Sequence, residues 1–321
     1  MTTPAHSGTV TLPPGFAPLL QASHERLCRE LTQHAPALCQ TLLPWMHQRA
    51  AKGLSPTAYF THPLAFPLLL LPWWLDESLG GDTDAALHAD LLLSSMAGYY
   101  LIRLIDDVMD RAPEAAPQLL PAVAVLHVQF QLAYTRWFPA NHPFWPGFHT
   151  AWARCNEAAV VEAGLAHIDE AAFLQVSAPK VSAGVIPLAA LAWHRHGGAL
   201  PAPWAALLPL LCAFHQRHND LFDWKRDLDS GAVTHFLSRG RRQMRPGESM
   251  LDWVVREGFA QEVQQQRAEL DAMQAQAAEI VSPGLRGWLQ LRRDMLDHAA
   301  AEARAGLDAA APLLRALQAQ A

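Results

Sequence analysis

The chain has 321 residues, of which 51% are hydrophobic and 17% charged, so it is long enough for a sizeable core and too apolar to be disordered. A net charge of −6 argues against a basic nucleic-acid-binding face, and no nucleic-acid partner is expected. The four cysteines show no CxxC spacing, which indicates reduced thiols of a cytoplasmic protein and excludes a zinc site of that type.

Membrane segments are not expected. The N-terminus lacks a basic region followed by an apolar stretch, so no signal peptide is predicted. The most apolar run, residues 63–75, is interrupted by prolines and is shorter than the roughly 20 residues that span a bilayer.

The first half of the chain predicts a flexible tail followed by helices. Residues 1–20 carry Thr, Pro and Gly with little periodicity and are predicted to be a flexible N-terminal tail. Leucines at helical spacing then predict a helix over residues 22–52, interrupted near Pro36 and Pro44. A buried helix is predicted over residues 63–79, and a long helix over residues 84–110.

The second half continues in the same pattern. Further helices are predicted at residues 117–138, 143–166, 169–195, 202–228, 248–281 and 283–318. Pro179, Gly184 and Pro187 predict a kink or a break in the third of these, and residues 229–247 are predicted to be a loop. Because no segment alternates with period two, we predict an all-α fold with a single helical domain over residues 21–321.

A first acidic cluster ends the long helix. Asp106 and Asp110 are four residues apart and therefore share a helix face, with Asp107 beside them. Adjacent carboxylates repel each other unless a cation neutralises them, and acids at a helix C-terminus oppose the helix dipole. The conflict indicates a functional site with a bound metal ion, in which all three aspartates are candidate catalytic residues.

A second cluster follows another apolar helical stretch. Asn219, Asp223 and Asp227 provide oxygen ligands at positions i, i+4 and i+8, a stripe that suits a divalent ion such as Mg²⁺. Arg226 lies next to the last ligand and could reach a phosphate oxygen. The alternative is an ordinary solvated helix face.

Lys180 is a lone cation in an apolar helical stretch near the predicted kink. A lysine in that position can provide a point charge for a phosphate group. The alternative is a surface lysine whose stem lies along apolar side chains.

These motifs resemble those of the class I isoprenoid synthases over roughly residues 60–240. Residues 106–110 match the family's DDxxD motif, and residues 219–227 resemble the NDxx(S/T)xxRD metal motif of terpene synthases. Asp223 departs from that motif, since Ser or Thr is usual there, and Asp at this position is similar to squalene and phytoene synthases. Lys180 looks like the diphosphate-binding lysine of prenyl-chain-elongating synthases.

The resemblance implies a bundle of helices around a central apolar cavity. At its mouth Asp106, Asp110, Asn219, Asp223 and Asp227 would bind three Mg²⁺ ions, with Mn²⁺ as an alternative, and Lys180 and Arg226 would hold an isoprenyl diphosphate. Aromatic side chains would line the cavity, unless they are plain core residues; the main candidates are Tyr99, Phe214 and Phe222, and further ones are Tyr100, Trp73, Trp74 and Trp193. A homodimer is also implied.

The resemblance leaves three functions open. Residues 61–67 lack the basic residues with which chain-elongating synthases hold a second diphosphate, which favours a terpene synthase that ionises farnesyl or geranylgeranyl diphosphate. The first alternative is a prenyltransferase, either head-to-head or chain-elongating with a non-standard acceptor. The second is a non-catalytic subunit that keeps the fold.

Overall fold

The computed structural model describes residues 9–51, 55–80, 82–109 and 117–318, and this part of the chain is helical without any strand. The helices are α1 (Phe16–His34), α2 (Pro36–Ala51), α3 (Pro56–Phe60), α4 (Leu71–Leu79), α5 (Ala85–Met109), α6 (Leu120–Thr135), α7 (Phe144–Ala163), α8 (Glu170–Ala172), α9 (Val185–His196), α10 (Ala202–Ser230), α11 (His235–Gln243), α12 (Met250–Trp253), α13 (Phe259–Ala277) and α14 (Pro283–Gln318). The predicted all-α fold is confirmed.

Helix α5 runs through the core. Most of its side chains are buried, including the run from Leu91 to Gly98. It packs against α6 more extensively than against any other helix, and next against α1. Gly98 lies at the α5–α6 contact, because a Cβ atom there would stand 2.9 Å from a ring carbon of Phe130. The long helix predicted over residues 84–110 is therefore the central helix of the bundle.

Helices α10 and α13 form a second packed pair, which includes a buried ion pair. The Arg217 guanidinium of α10 donates from Nε to Glu269 Oε1 of α13 at 2.6 Å. Since both side chains are almost completely screened from water, the pair fixes the register of the two helices.

Two boundary predictions near the N-terminus are wrong. Helix α1 begins at Phe16, and Phe16 and Leu20 are fully buried, so residues 16–20 belong to the helical core and not to a flexible tail. The helix predicted over residues 63–79 begins only at Leu71, because Pro63 and Pro67 lack the N–H donor that a helix needs.

The helix predicted over residues 169–195 is broken, as one of the two predicted alternatives requires. Between α8 and α9 the chain forms a π-helical turn over Phe173–Ser177 and then a 3₁₀ segment over Ala178–Gly184, where Pro179 interrupts regular hydrogen bonding. The predicted loop at residues 229–247 is partly wrong, since it contains α11. Thr234 caps this helix by accepting a hydrogen bond from the Leu237 N–H at 3.2 Å.

One stretch of the described residues, Glu170–His196, is long and apolar enough to cross a membrane by length and composition. However, 61% of its apolar window is buried inside the bundle, and the segment contains the π and 3₁₀ turns. A buried core helix meets the same criteria of length and composition, and the burial of this segment matches that case.

Candidate functional site

The first acidic cluster is exposed at Asp106. This side chain is 39% exposed at the C-terminal end of α5, and its Oδ2 accepts a hydrogen bond from Arg103 Nη1 at 2.7 Å. Asp110, the other predicted ligand on this face, lies outside the described residues. Asp106 is therefore open to a ligand but is paired with an arginine from its own helix.

Asp107 has a different environment from its neighbour. It is buried, and its Oδ2 lies 2.6 Å from Arg49 Nη2 and accepts a hydrogen bond from Trp45 Nε1 at 3.3 Å, both from α2. Its Oδ1 lies 3.4 Å from Arg103 Nη2. The cation that the adjacent carboxylates require is thus supplied by arginines. Through these contacts Asp107 ties α2 to α5, and its role as a catalytic residue stays a prediction.

The second cluster presents its carboxylates on the outer part of α10. Arg226 Nη2 lies 2.8 Å from Asp223 Oδ2 and 3.4 Å from Asp227 Oδ1. The Asn219 amide lies 3.3 Å from His215 Nε2, one turn earlier. Because Arg226 is 71% exposed, its pairs with the two carboxylates are weak enough to be exchanged for a ligand.

Asp220 is buried between these exposed residues. It accepts hydrogen bonds from Gln216 Nε2 at 2.9 Å and from the His235 backbone N–H at 3.2 Å. Burial raises the pKa of this carboxyl to about 7, and the nearby charges of Glu162 and Asp227 contribute to the increase. Asp220 therefore anchors the start of α11 to α10.

Lys180 is within electrostatic reach of both clusters. Its ammonium forms an ion pair with Glu162 of α7, a residue that sequence reasoning missed because nothing in the local pattern singles it out. Burial by itself would lower the pKa of Lys180, but the carboxylate of Glu162 raises it, and those of Asp106 and Asp220 raise it further. One carboxylate from each cluster is thus within electrostatic reach of the same ammonium.

The three predicted cavity-lining aromatics pack against other side chains. Tyr99 is half-buried, with ring contacts to Tyr59 at 5.7 Å and to Phe60 at 5.1 Å. Phe214 is buried in the core. Phe222 is 44% exposed and packs against His218 at 4.4 Å, so it lies at the surface instead of facing the interior.

The other aromatic candidates pack in or against the core. Tyr100 and Trp74 are fully buried. Trp73 and Trp193 are partly buried; Trp73 packs against His88 of α5 at 4.5 Å, and Trp193 packs against His142, just before α7, at 5.2 Å. These contacts support the plain-core alternative.

A buried arginine lies beside Phe214. Arg292 of α14 donates from Nη1 to the Pro63 carbonyl at 2.9 Å, and its guanidinium stands 5.2 Å from the Phe214 ring and 5.7 Å from that of Trp288. None of the described residues accepts a hydrogen bond from Nε or Nη2. Burial lowers the pKa of Arg292 to about 9, and burial together with this charge lowers that of His215 to about 3.

The oxygen ligands at this site suit Mg²⁺ only if a phosphate group also binds the ion. Within the described residues no three His, Cys, Asp or Glu side chains form a group that could hold a metal ion by itself. The available donors are oxygens of Asp106, Asn219, Asp223 and Asp227, divided between two helices. Mg²⁺ is commonly held by one or two carboxylates together with substrate phosphates, and this arrangement suits that mode.

Comparison with known proteins supports the fold. The chain is similar in structure to the geranylgeranyl pyrophosphate synthetase from the archaeon Geoglobus acetivorans, with a TM-score of 0.61 and 11% sequence identity over 89% of this chain and 98% of that chain. No protein-family model and no curated protein matches the sequence. The neighbour's helical fold agrees with the isoprenoid-synthase-like architecture that the motifs imply.

Proposed function

We propose that the protein is a Mg²⁺-dependent enzyme that acts on an isoprenyl diphosphate. The observation that carries this proposal is the placement of Lys180. Its segment, Ala178–Gly184, packs against α10, and its ammonium is within electrostatic reach of Asp106 from the first cluster and Asp220 from the second. Acidic residues on two helices, with a lysine near both, suit a diphosphate that arrives with metal ions.

The polar residues of the site divide into metal ligands and diphosphate ligands. Asp106, Asn219, Asp223 and Asp227 hold Mg²⁺, together with Asp110, and Lys180 and Arg226 hold the diphosphate oxygens. The bound metal would neutralise the charge that develops on the leaving diphosphate when the allylic C–O bond breaks. Lys180 and Arg226 stabilise the same charge by direct hydrogen bonds.

Within this class we propose a terpene synthase that uses a single farnesyl or geranylgeranyl diphosphate. Residues 61–67 contain no Lys or Arg, so this segment itself offers no cation for a second diphosphate. A prenyltransferase is the second candidate. It is supported by the name of the structural neighbour and by Arg292, which brings a cation to the carbonyl of Pro63 within that segment.

Product analysis separates these candidates. The protein is incubated with Mg²⁺ and geranyl, farnesyl or geranylgeranyl diphosphate, each with and without isopentenyl diphosphate; diphosphate release is measured and products are identified by gas chromatography. A terpene from one substrate alone is expected. Product that requires two substrates, including two copies of one diphosphate joined head-to-head, supports the prenyltransferase. A folded protein that releases no diphosphate under any condition is a non-catalytic subunit.

We also propose that the protein is a homodimer that pairs through α6. This helix is apolar on all sides, with Leu120, Val128 and Leu132 exposed, and residues 117–135 contain no Asp, Glu, Lys or Arg. A second copy presents the same uncharged face, so pairing desolvates no charge. In sedimentation velocity, Val128→Glu should yield monomers. The control Val281→Glu, at an exposed position after α13, should remain dimeric. Equal behaviour of both variants contradicts the proposal.

A further inference from the structure

We propose that Glu162 makes the site selective for metal-bound over metal-free diphosphate. Its carboxylate stays paired with the Lys180 ammonium until a metal-bound diphosphate arrives. This inference rests on the proposed function and assigns a specificity-determining role to a residue outside both acidic clusters.

Helix α7 holds Lys180 at two points. The Cys155 thiol donates to the Lys180 backbone carbonyl at 2.7 Å, and the Glu162 carboxylate pairs with the ammonium. Cys155 and Glu162 are seven residues apart, about two helical turns, and so lie on the same face of α7. The backbone is fixed by the first contact, so the second contact determines where the ammonium points.

The ion pair is accessible to a ligand. The Lys180 side chain is 26% exposed, and that of Glu162 is 15% exposed. Such a half-buried pair is stronger than a surface pair but is still open on one side. An incoming phosphate group can therefore reach the Lys180 ammonium if the ion pair with Glu162 opens.

The surrounding charges decide when that exchange occurs. Lys180 pairs with Glu162 and is within electrostatic reach of Asp106 and Asp220, whereas Arg103 is already paired with Asp106 and Asp107. A metal-free diphosphate meets a lysine that is already neutralised and carboxylates that repel it. A diphosphate that carries Mg²⁺ brings positive charge to these carboxylates, so Glu162 can turn toward the metal complex and Lys180 toward the phosphate oxygens.

The affinity for inorganic diphosphate, measured by calorimetric titration in buffer with Mg²⁺ and in buffer with EDTA, tests the inference. The wild type should bind diphosphate in Mg²⁺ and at least about tenfold more weakly in EDTA. Glu162→Gln should bind metal-free diphosphate about tenfold more tightly than the wild type, because the lysine loses its competing carboxylate. This gain should disappear in the double variant with Lys180→Met. Glu157→Gln, an exposed site on α7, is the matched control and should behave as the wild type.

Lys180→Met by itself provides a readout that does not depend on the folding of the Glu162 variant. It should weaken binding in Mg²⁺ about tenfold and leave binding in EDTA unchanged. Equal weakening in both buffers, or a folded Glu162→Gln protein with no gain in EDTA, overturns the inference while leaving the proposed function intact. A wild type that binds no diphosphate even with Mg²⁺ contradicts the proposed function itself.

Discussion

The two acidic clusters each combine one buried aspartate with exposed ones, but they compensate the buried carboxylate in different ways. Asp107 on α5 lies against Arg49 and Arg103, so its charge is paired. Among the described residues, Asp220 on α10 receives hydrogen bonds from a side-chain amide and a backbone N–H, and burial raises its pKa to about 7. A cationic partner stabilises the charged carboxylate, whereas neutral donors leave much of the desolvation cost in place.

The comparison shows that an acidic motif is not a uniform set of ligands. In each cluster the buried aspartate joins neighbouring elements, α2 to α5 and α11 to α10, and the exposed aspartates remain for a ligand. The predictions below test this division of roles.

The largest loss of stability expected from removing a side chain is at the first cluster. Asp107→Ala removes the buried carboxylate that joins α2 to α5, together with its contacts to Arg49 and Trp45, and we expect the free energy of unfolding to fall by about 3 kcal/mol. Asp106→Ala, which removes an exposed pair, should cost less than about 1 kcal/mol. Urea denaturation of both variants measures the difference, and equal losses would show that burial does not separate the two residues.

The next effect is on activity. Asp106→Asn keeps the size of the side chain but removes its charge, and we expect diphosphate release to fall about a hundredfold. Asp229→Asn is the matched control, because Asp229 is exposed on α10 and paired with Lys225. Full activity of Asp106→Asn in a steady-state assay would remove the first cluster from the proposed site.

The pH dependence of stability sharpens the contrast at Asp220. A carboxyl with a raised pKa keeps its proton in the folded state when the unfolded chain has already lost it. Relative to Asp220→Asn, the metal-free wild type should therefore lose stability as pH rises from 3.8 to about 7, by roughly 1.4 kcal/mol per pH unit. Thermal unfolding in EDTA across this range measures it, and parallel curves for the two proteins would show that Asp220 titrates normally.

The smallest effect is expected at Arg226. Since its pair with Asp223 is exposed, Arg226→Gln should change the free energy of unfolding by less than about 0.5 kcal/mol. Its affinity for diphosphate in Mg²⁺ should nevertheless fall several-fold, because a charge-assisted hydrogen bond is lost. Urea denaturation and calorimetry measure the two quantities, and unchanged affinity would exclude Arg226 from the diphosphate site.

Much of the helical architecture was predictable because it depends on local sequence. The long helix over residues 84–110 corresponds to Ala85–Met109, and the break in the helix predicted over residues 169–195 follows from Pro179. Helix α11 was missed because its many polar residues resemble a loop, and only the Thr234 cap indicates a helix. Pro63 and Pro67 delay the start of the next helix until Leu71.

The site was less predictable than the helices. The sequence pointed to Asp106, Asp223 and Lys180, and the structure leaves all three partly exposed. It did not point to Glu162 or to the pairing of Asp107 with Arg49. Those contacts join residues from different helices, and no local spacing encodes them.

The sequence by itself determined the all-helical fold and the two helices that carry the acidic residues, because helical periodicity and spacing act over a few neighbouring residues. Only the tertiary structure decided which carboxylates are buried, whether a buried carboxylate receives a cation, and that Lys180 pairs with Glu162 within electrostatic reach of both clusters. The physical reason is that the free energy of a charge depends on its burial and on its partner, and both are set by how distant helices pack.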